Sequence, residues 1–238
     1  TLVVVEDLYR PYRPKRKTRA SVAKEKGLDG LAQFILAQDT TSPVEEEAAK
    51  YISEEKGVAS AEEALQGAKD IIAEMISDEA EHRLYIRNAT TEEGIVTSAA
   101  KDEKAQSVYE MYYDFTDTVN RIAEYRVLAI DRGEREGFLK VSVSLDMVKA
   151  MNVMHSVAIL NNNSPCTQTI LDVCDDSYSR LIYPSIEREI RSMLTEKAAK
   201  AGIKSFSDNL RPLLMQPPVK GHVTMGLDPG YRNGCKVA

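Results

Sequence analysis

Ser60-Ala61-Glu62-Glu63-Ala64-Leu65-Gln66-Gly67-Ala68-Lys69-Asp70-Ile71-Ile72-Ala73-Glu74-Met75-Ile76 is the stretch on which the fold class turns. Ser60 can cap a helix, and Glu63 three residues on completes a capping box. Ala64, Leu65, Ala68, Ile71, Ile72, Met75 and Ile76 recur at helical spacing, so one face of this helix is expected to be buried. The neighbouring segments follow the same pattern. Downstream, Asp78 and Glu81 restart a helix that carries Leu84 and Ile86 and ends before Gly94. Upstream, Ser42-Pro43-Val44-Glu45 reads as a helix start with Ser as cap and Pro at the first position, running through Ala48, Tyr51 and Ile52 until Gly57. Two short helices are expected between Ala20 and Ile35, separated at Gly27. The chain therefore reads as mainly α, a multi-helix core with one small β element.

That β element is expected at Phe138-Leu139-Lys140-Val141-Ser142-Val143-Ser144-Leu145, which alternates with period two. Ahead of it, residues 122–132 read as a helix with Gly133 in the left-handed position just past its end, a hairpin through the same glycine being the competing possibility. Behind it, Asp146 can cap a helix holding Met147, Met151 and Met154. Another helix starts at Ser164-Pro165 and runs to Tyr183. The longest follows from Ser185 to about Leu210, with Ile186, Ile190, Met193, Leu194, Ala198, Ala201, Phe206 and Leu210 as its apolar stripe. Gly202 weakens this helix and Pro212 is expected to end or kink it. Its other face, with Glu187, Arg188, Glu189, Arg191, Glu196 and Lys197, reads as solvated surface. Pro217-Pro218 marks a linker. Residues 223–230 then have the form of an apolar strand ending in Asp-Pro-Gly. Two domains are expected, residues 1–216 and residues 217–238, with both chain ends reading as cut.

Charge is unevenly spread. The net charge is -6, yet residues 1–20 hold six basic and two acidic side chains, and residues 41–100 hold fourteen acidic and five basic ones. The cations lie in Tyr9-Arg10-Pro11-Tyr12-Arg13-Pro14-Lys15-Arg16-Lys17-Thr18-Arg19, where two prolines three apart predict an extended segment. Here Arg10, Arg13, Lys15, Arg16, Lys17 and Arg19 can contact phosphates while Tyr9 and Tyr12 stack on bases. Alternatively, these cations pair with the acidic helices of residues 41–100 and hold the segment to the fold.

Other chemistry is sparse. Three cysteines, Cys166, Cys174 and Cys235, are too few and scattered for a disulfide framework and fit a reducing, cytoplasmic setting. His82, His155 and His222 are far apart in sequence, so no metal site and no cofactor is expected. No apolar run approaches the roughly 20 residues a bilayer requires, so no membrane contact is expected. Tyr109, Tyr112, Tyr113 and Phe115 form an aromatic knot expected to pack in the core, with a base-stacking platform as the alternative. Arg126, Arg132, Glu134 and Glu136 surround Gly133 and are expected to form an ion-pair network at the helix-to-strand junction, or a groove contacting a partner or phosphate. Cys235, beside Lys236, is expected to be packed rather than reactive.

Five stretches taken together resemble one family. They are residues 7–20, from Asp7-Leu8-Tyr9-Arg10 to Thr18-Arg19-Ala20; Ala64-Leu65-Gln66-Gly67-Ala68-Lys69-Asp70-Ile71-Ile72-Ala73-Glu74; Arg126-Val127-Leu128-Ala129-Ile130-Asp131-Arg132-Gly133-Glu134; Arg188-Glu189-Ile190-Arg191; and Gly226-Leu227-Asp228-Pro229-Gly230-Tyr231-Arg232-Asn233-Gly234-Cys235-Lys236. The chain is similar to the Tex family of transcription accessory proteins, related to the eukaryotic elongation factor Spt-six. The resemblance implies a helical scaffold within a larger protein that binds RNA or single-stranded DNA, contacts transcription or translation machinery, and is not itself an enzyme. It also implies that residues 217–238 begin an RNase H-like domain of RuvC/YqgF type. Asp228 would then be a lone carboxylate of a metal-dependent nuclease site, although two-metal chemistry needs several acidic ligands. A truncated nuclease and a protein-interaction scaffold docking through the acidic helices are the other expectations. The sequence departs from the family pattern at Tyr125 and Asn233, where His and Thr are usual, and at Gly202 and Pro212.

Overall fold

The computed structural model describes residues 2–14, 17–217, 220–230, 232 and 234–238. In chain order, α1 (Leu2–Tyr9) runs into a 3₁₀ turn (Arg10–Tyr12), followed by α2 (Arg19–Glu25), α3 (Asp29–Ala37), α4 (Val44–Ala49), α5 (Ala61–Asp78) and α6 (Ala80–Glu93). Then come β1 (Ile95–Ala100), a second 3₁₀ turn (Glu110–Tyr112), β2 (Asp114–Thr118), α7 (Glu124–Arg135), β3 (Leu139–Ser144), α8 (Met147–Ala158) and α9 (Thr167–Asp176). A π-helical turn (Ser177–Ile182) leads into α10 (Tyr183–Leu214), and β4 (Leu227–Gly230) and β5 (Gly234–Val237) follow.

Helix α5 is the hub, in contact with α2, α3, α4, α6, α9 and the π turn. Ser60 Oγ accepts from the Glu63 N–H at 3.2 Å, while the Glu63 carboxylate takes the Ala59 N–H rather than that of Ser60. Ala64, Ala68, Ile71, Ile72, Ala73 and Ile76 are buried, and each fully buried Ile contributes roughly 1.5–3 kcal/mol of hydrophobic stabilisation. Met75 departs from the expected stripe and is half exposed. At Gly67 an added Cβ would stand 2.4 Å from Leu28 Cδ1, so the glycine lets Leu28 lie directly on the helix.

Several expectations need correction. The basic segment is not extended throughout, because α1 and a 3₁₀ turn carry it as far as Tyr12. Pro11 sits in the first turn, where its missing N–H costs nothing. Arg13, before Pro14, is extended with φ −69° and ψ 129°. Helix α4 starts at Val44 with Pro43 as its cap residue and ends at Ala49, short of Tyr51 and Ile52. Gly133 lies inside α7, and the left-handed residue is Gly137 at φ +89°. An added Cβ at Gly133 would meet Leu139 Cδ1 at 2.6 Å, so this glycine serves a close helix–strand approach. Strand β3 and the Asp146-capped α8 form as expected, with Asp146 accepting from the Val148 N–H.

Two strands were not foreseen. β1 pairs antiparallel with both β2 and β3, giving the order β2-β1-β3. β1 buries Val96 and Ser98, whose hydroxyl donates to the Tyr112 carbonyl. β2 is Asp-Phe-Thr-Asp-Thr, too polar to announce itself. Tyr109 and Tyr112 are buried and Tyr112 meets Phe115 edge-on at 5.5 Å, so the aromatic knot packs in the core.

The break expected before Pro184 is replaced by the π turn. Proline at 184 has no N–H for the preceding turn, and widening that turn lets the chain pass without a stop. Pro212 likewise does not end α10, which reaches Leu214. Two compact units result, residues 1–199 and residues 200–238. Within the first, α10 buries Ile186, Ile190, Leu194 and Ala198. Within the second, Phe206 is exposed, and β4 and β5 form an exposed antiparallel hairpin. Among the described residues, no helix is long and apolar enough to cross a membrane.

Candidate nucleic-acid interface

The best candidate surface starts from a buried charge cluster that fixes α1. Asp7 is buried at the end of an apolar run, and Arg83 on α6 has a side chain with no solvent exposure. Arg83 Nε donates to Asp7 Oδ1 at 2.7 Å, and Arg83 Nη2 reaches Glu189 Oε1 at 3.0 Å and Ser185 Oγ at 2.8 Å. One helical turn on, Arg87 lies 2.7 Å from Asp7 Oδ2 and donates to Glu189 Oε2 at 2.9 Å. Two guanidiniums and two carboxylates thus close a neutral ring joining α1, α6 and α10. Buried charges survive only when paired in this way.

Arg10 continues the attachment, with Nε 3.4 Å from Asp78 Oδ1 at the end of α5. Burial lowers the Arg10 pKa, with neighbouring Arg83 adding to the effect and the carboxylates of Asp78 and Asp7 opposing it. Arg10 thus follows the structural alternative, pairing with an acidic helix. Arg13 and Lys17 are exposed and make no such pair among the described residues, while Arg19, though exposed, lies near enough to Asp70 of α5 to favour its ionised form. Tyr9 is 56% and Tyr12 79% exposed. Lys15 and Arg16 lie outside the described residues.

Thr18 ends the segment by capping α2. Its hydroxyl accepts from the Ser21 N–H at 3.0 Å, and Ser21 Oγ accepts from the Thr18 N–H at 2.8 Å. A cavity of about 650 Å³ opens against the segment between Tyr9, Arg10, Arg13, Thr18, Glu74 and Asp78. A second, of about 420 Å³, is bordered by Lys17, Arg19 and Lys26. Lys26 is already committed, donating to Glu63 Oε1 at 2.6 Å and to the Gly57 carbonyl at 2.7 Å.

The remaining candidates resolve differently. Arg126, Arg132, Glu134 and Glu136 do not pair with one another as a cluster. Arg126 lies over the Phe115 ring at 5.5 Å and 3.4 Å from Asp117. Glu136 accepts from the Tyr109 hydroxyl at 2.9 Å. Glu134 binds Arg191 and accepts from the Val141 N–H at 3.2 Å. Burial opposes ionisation of Glu134, but Arg191 and the Val141 N–H prevail and hold its pKa below the usual carboxylate value. The face of α10 expected to be solvated therefore carries Glu189 and Arg191 as ties to other elements, and Glu187 accepts from the Val143 N–H at 2.9 Å.

Asp228 lies within exposed β4, opposite Lys236 of β5. Cys235 is exposed rather than packed, whereas Cys166 and Cys174 are buried. Among the described residues, no group of three His, Cys, Asp or Glu side chains converges to hold a metal ion. Sequence reading missed the Asp7, Arg83, Arg87 and Glu189 ring. Its only local signal was the Arg83/Arg87 spacing of four on one helix.

The sequence model of a family described as Tex central region-like matches residues 39–206. An uncharacterized protein of Bacillus subtilis, YdcI, is 48% identical over 239 residues, covering 98% of this chain and 33% of that protein. The protein tex of Bordetella pertussis is 32% identical over 249 residues, covering 98% of this chain and 31% of its own length. The human S1 RNA-binding domain-containing protein 1 is 32% identical over 256 residues, with 100% of this chain and 25% of that protein covered. The chain thus spans a third or less of these relatives.

Proposed function

This chain belongs to the Tex family, and from that premise we propose that it is the helical scaffold of a transcription accessory protein that binds RNA or single-stranded DNA. The contact surface is the cationic edge formed by Tyr9, Tyr12, Arg13, Lys17 and Arg19; Lys15 and Arg16 lie outside the described residues and enter from the sequence alone. The observation that carries this reading is a division of labour within one segment. Asp7 and Arg10 are committed to the fold, while Tyr9, Tyr12, Arg13, Lys17 and Arg19 are left in solvent. Cations spaced along an anchored edge can follow a phosphate backbone, and exposed rings give unpaired bases a stacking surface.

Relatives named for transcription accessory function and for an S1 RNA-binding domain support a nucleic-acid role for the longer protein. We take the scaffold as non-catalytic and cytoplasmic, with residues 217–238 opening an RNase H-like domain. Asp228 faces Lys236 across an exposed hairpin and belongs to no group of three metal-ligating side chains among the described residues, which favours a structural role for that residue.

Fluorescence anisotropy of labelled single-stranded RNA and DNA at two salt concentrations tests the surface. The intact chain is expected to bind with a logarithmic salt slope of about −0.7 per phosphate contacted. A variant with Arg13, Lys15, Arg16, Lys17 and Arg19 changed to Glu is expected to lose that binding with its circular dichroism unchanged. Equal binding by both proteins removes the proposal.

A further inference from the structure

The 3₁₀ turn gives the two tyrosines a relationship that an extended segment would not. Tyr9 ends α1 with φ −82° and ψ −16°, and the chain then tightens through Arg10, Pro11 and Tyr12. The turn is closed by the Arg13 N–H donating to the Arg10 carbonyl at 3.2 Å. In an α-helix, residues three apart are rotated about 60° short of a full turn. In a 3₁₀ turn they eclipse, with a rise of about 2.0 Å per residue. Tyr9 caps this turn and Tyr12 ends it, so the ideal repeat would send the two side chains off one side of the backbone, about 6 Å apart along the axis. A planar base held between two rings needs about 7 Å, twice the roughly 3.4 Å spacing of stacked bases.

Resting on the nucleic-acid reading above, we infer that Tyr9 and Tyr12 form a clamp for one unpaired nucleobase, with Arg13 taking the adjoining phosphate. Both rings are exposed, so neither is spent on the core. The clamp is rigid at its base. Pro11 fixes the backbone between the rings, Asp7 is bonded to buried Arg83 two residues before the first ring, and Arg10 is tied to Asp78. Arg13 follows at the end of the same turn, exposed and extended, one residue beyond the second ring. A base enters such a slot only when it is out of a duplex stack, so the clamp selects single strands. Because stacking tolerates any base, it carries little sequence preference.

The test uses the intact chain and a single-stranded oligonucleotide carrying one 2-aminopurine, whose fluorescence falls when it is stacked. Binding is expected to quench the probe, and the matching duplex to compete at least tenfold less well. Tyr9→Ala and Tyr12→Ala are each expected to cost about tenfold in affinity and most of the quenching. The double variant loses little more, because a one-ringed clamp has already failed. Tyr9→Phe and Tyr12→Phe keep both signals, since stacking does not need the hydroxyl. Small, additive losses from the two alanine variants overturn the clamp in favour of independent rings. Unchanged quenching in both, while the five-fold Glu variant still abolishes binding, overturns the clamp and leaves the cationic surface standing. If the Glu variant binds as the parent does, the nucleic-acid reading itself fails and the clamp with it.

Discussion

Asp7 and Arg83 meet at 2.7 Å in the interior, 76 residues apart in sequence, with the guanidinium wholly removed from solvent. A charge in that position is tolerable only because Asp7 and Glu189 neutralise it and Ser185 accepts a further N–H. The pair decides where the N-terminal helix lies. It therefore decides whether the aromatic and cationic side chains that follow have a fixed platform.

Removing Asp7 is expected to be costly. Asp7→Ala leaves Arg83 and Arg87 sharing Glu189 alone, a net buried positive charge, and the expected loss is about 3 kcal/mol in urea denaturation. Arg83→Met placed on top of Asp7→Ala is expected to recover part of that loss, because a buried apolar chain needs no counter-charge. Strict additivity of the two would mean that the charges are solvated and the ring is not a structural unit.

Gly133→Ala makes a second test. Alanine is the better helix former by about 1 kcal/mol, so on propensity alone the substitution stabilises α7. Here the new methyl stands 2.6 Å from Leu139 Cδ1 and 3.1 Å from Tyr109 Cδ1, against a Leu139 that is completely buried. Overpacking of this kind costs typically 1–3 kcal/mol, so net destabilisation is expected. Gly137→Ala meets nothing within 4 Å and is expected to lose only what its positive φ demands.

The same pair of glycines shows what the sequence made legible. Helical periodicity placed α5, α6 and α8 because their partners need only an apolar stripe, and alternation placed β3 for the same reason. Periodicity could not tell which glycine supplies left-handed backbone and which supplies close approach, since that depends on where Leu139 lands. Nor could it find β1 and β2, whose inward Ser98 is held by a carbonyl from a distant turn rather than by apolar burial. The basic segment was visible as charge, but its split into anchored and exposed members required Asp78, which holds Arg10, and Arg83, which holds Asp7. Neither is near it in sequence.

Two carboxylates should move stability in opposite directions with pH. Glu134 has a pKa held low in the fold by Arg191 and the Val141 N–H, against the opposing effect of burial. Its contribution is present above the unfolded carboxylate pKa and is lost as pH falls through the lower folded value. Asp70 is shifted up, chiefly by burial, with Arg180 and Arg19 only partly compensating. Its ionisation favours the unfolded chain, so stability from this group falls as pH rises from the unfolded pKa towards the folded one. Urea midpoints measured between pH 3 and pH 7 are expected to lose some of their acid sensitivity in Glu134→Gln. At neutral pH, Asp70→Asn is expected to be neutral or stabilising. A large neutral-pH loss in Asp70→Asn would show that its pair with Arg180 outweighs its burial.

Thiol reactivity gives a simple check on the fold. Cys235 is exposed, while Cys166 and Cys174 are buried, and burial pushes the Cys174 pKa up to about 12. Native protein is expected to react with a thiol reagent at one site promptly, and at the other two only after denaturation. Prompt reaction at all three would place α9 outside the core.

The outer edge of β3 supplies the last prediction. β3 pairs on one side with β1 and lies at the margin of the sheet, where unpaired backbone groups invite another strand. Four side chains close that margin. Glu134 accepts from the Val141 N–H and Arg191 donates to its carbonyl at 3.1 Å, while Glu187 accepts from the Val143 N–H and the Tyr183 hydroxyl donates to its carbonyl at 2.7 Å. Side chains from α7 and α10 thus replace a neighbouring strand bond for bond at these two residues. Glu187→Ala combined with Tyr183→Phe bares both groups of Val143 while leaving the Val141 contacts in place. The expected result is a loss of about 2 kcal/mol, from two hydrogen bonds at roughly 1 kcal/mol each. Concentration-dependent self-association by analytical ultracentrifugation should accompany it. Self-association without loss of stability would mean that the edge is guarded chiefly against other chains, whereas loss without self-association would make the four contacts a fastening between sheet and helix.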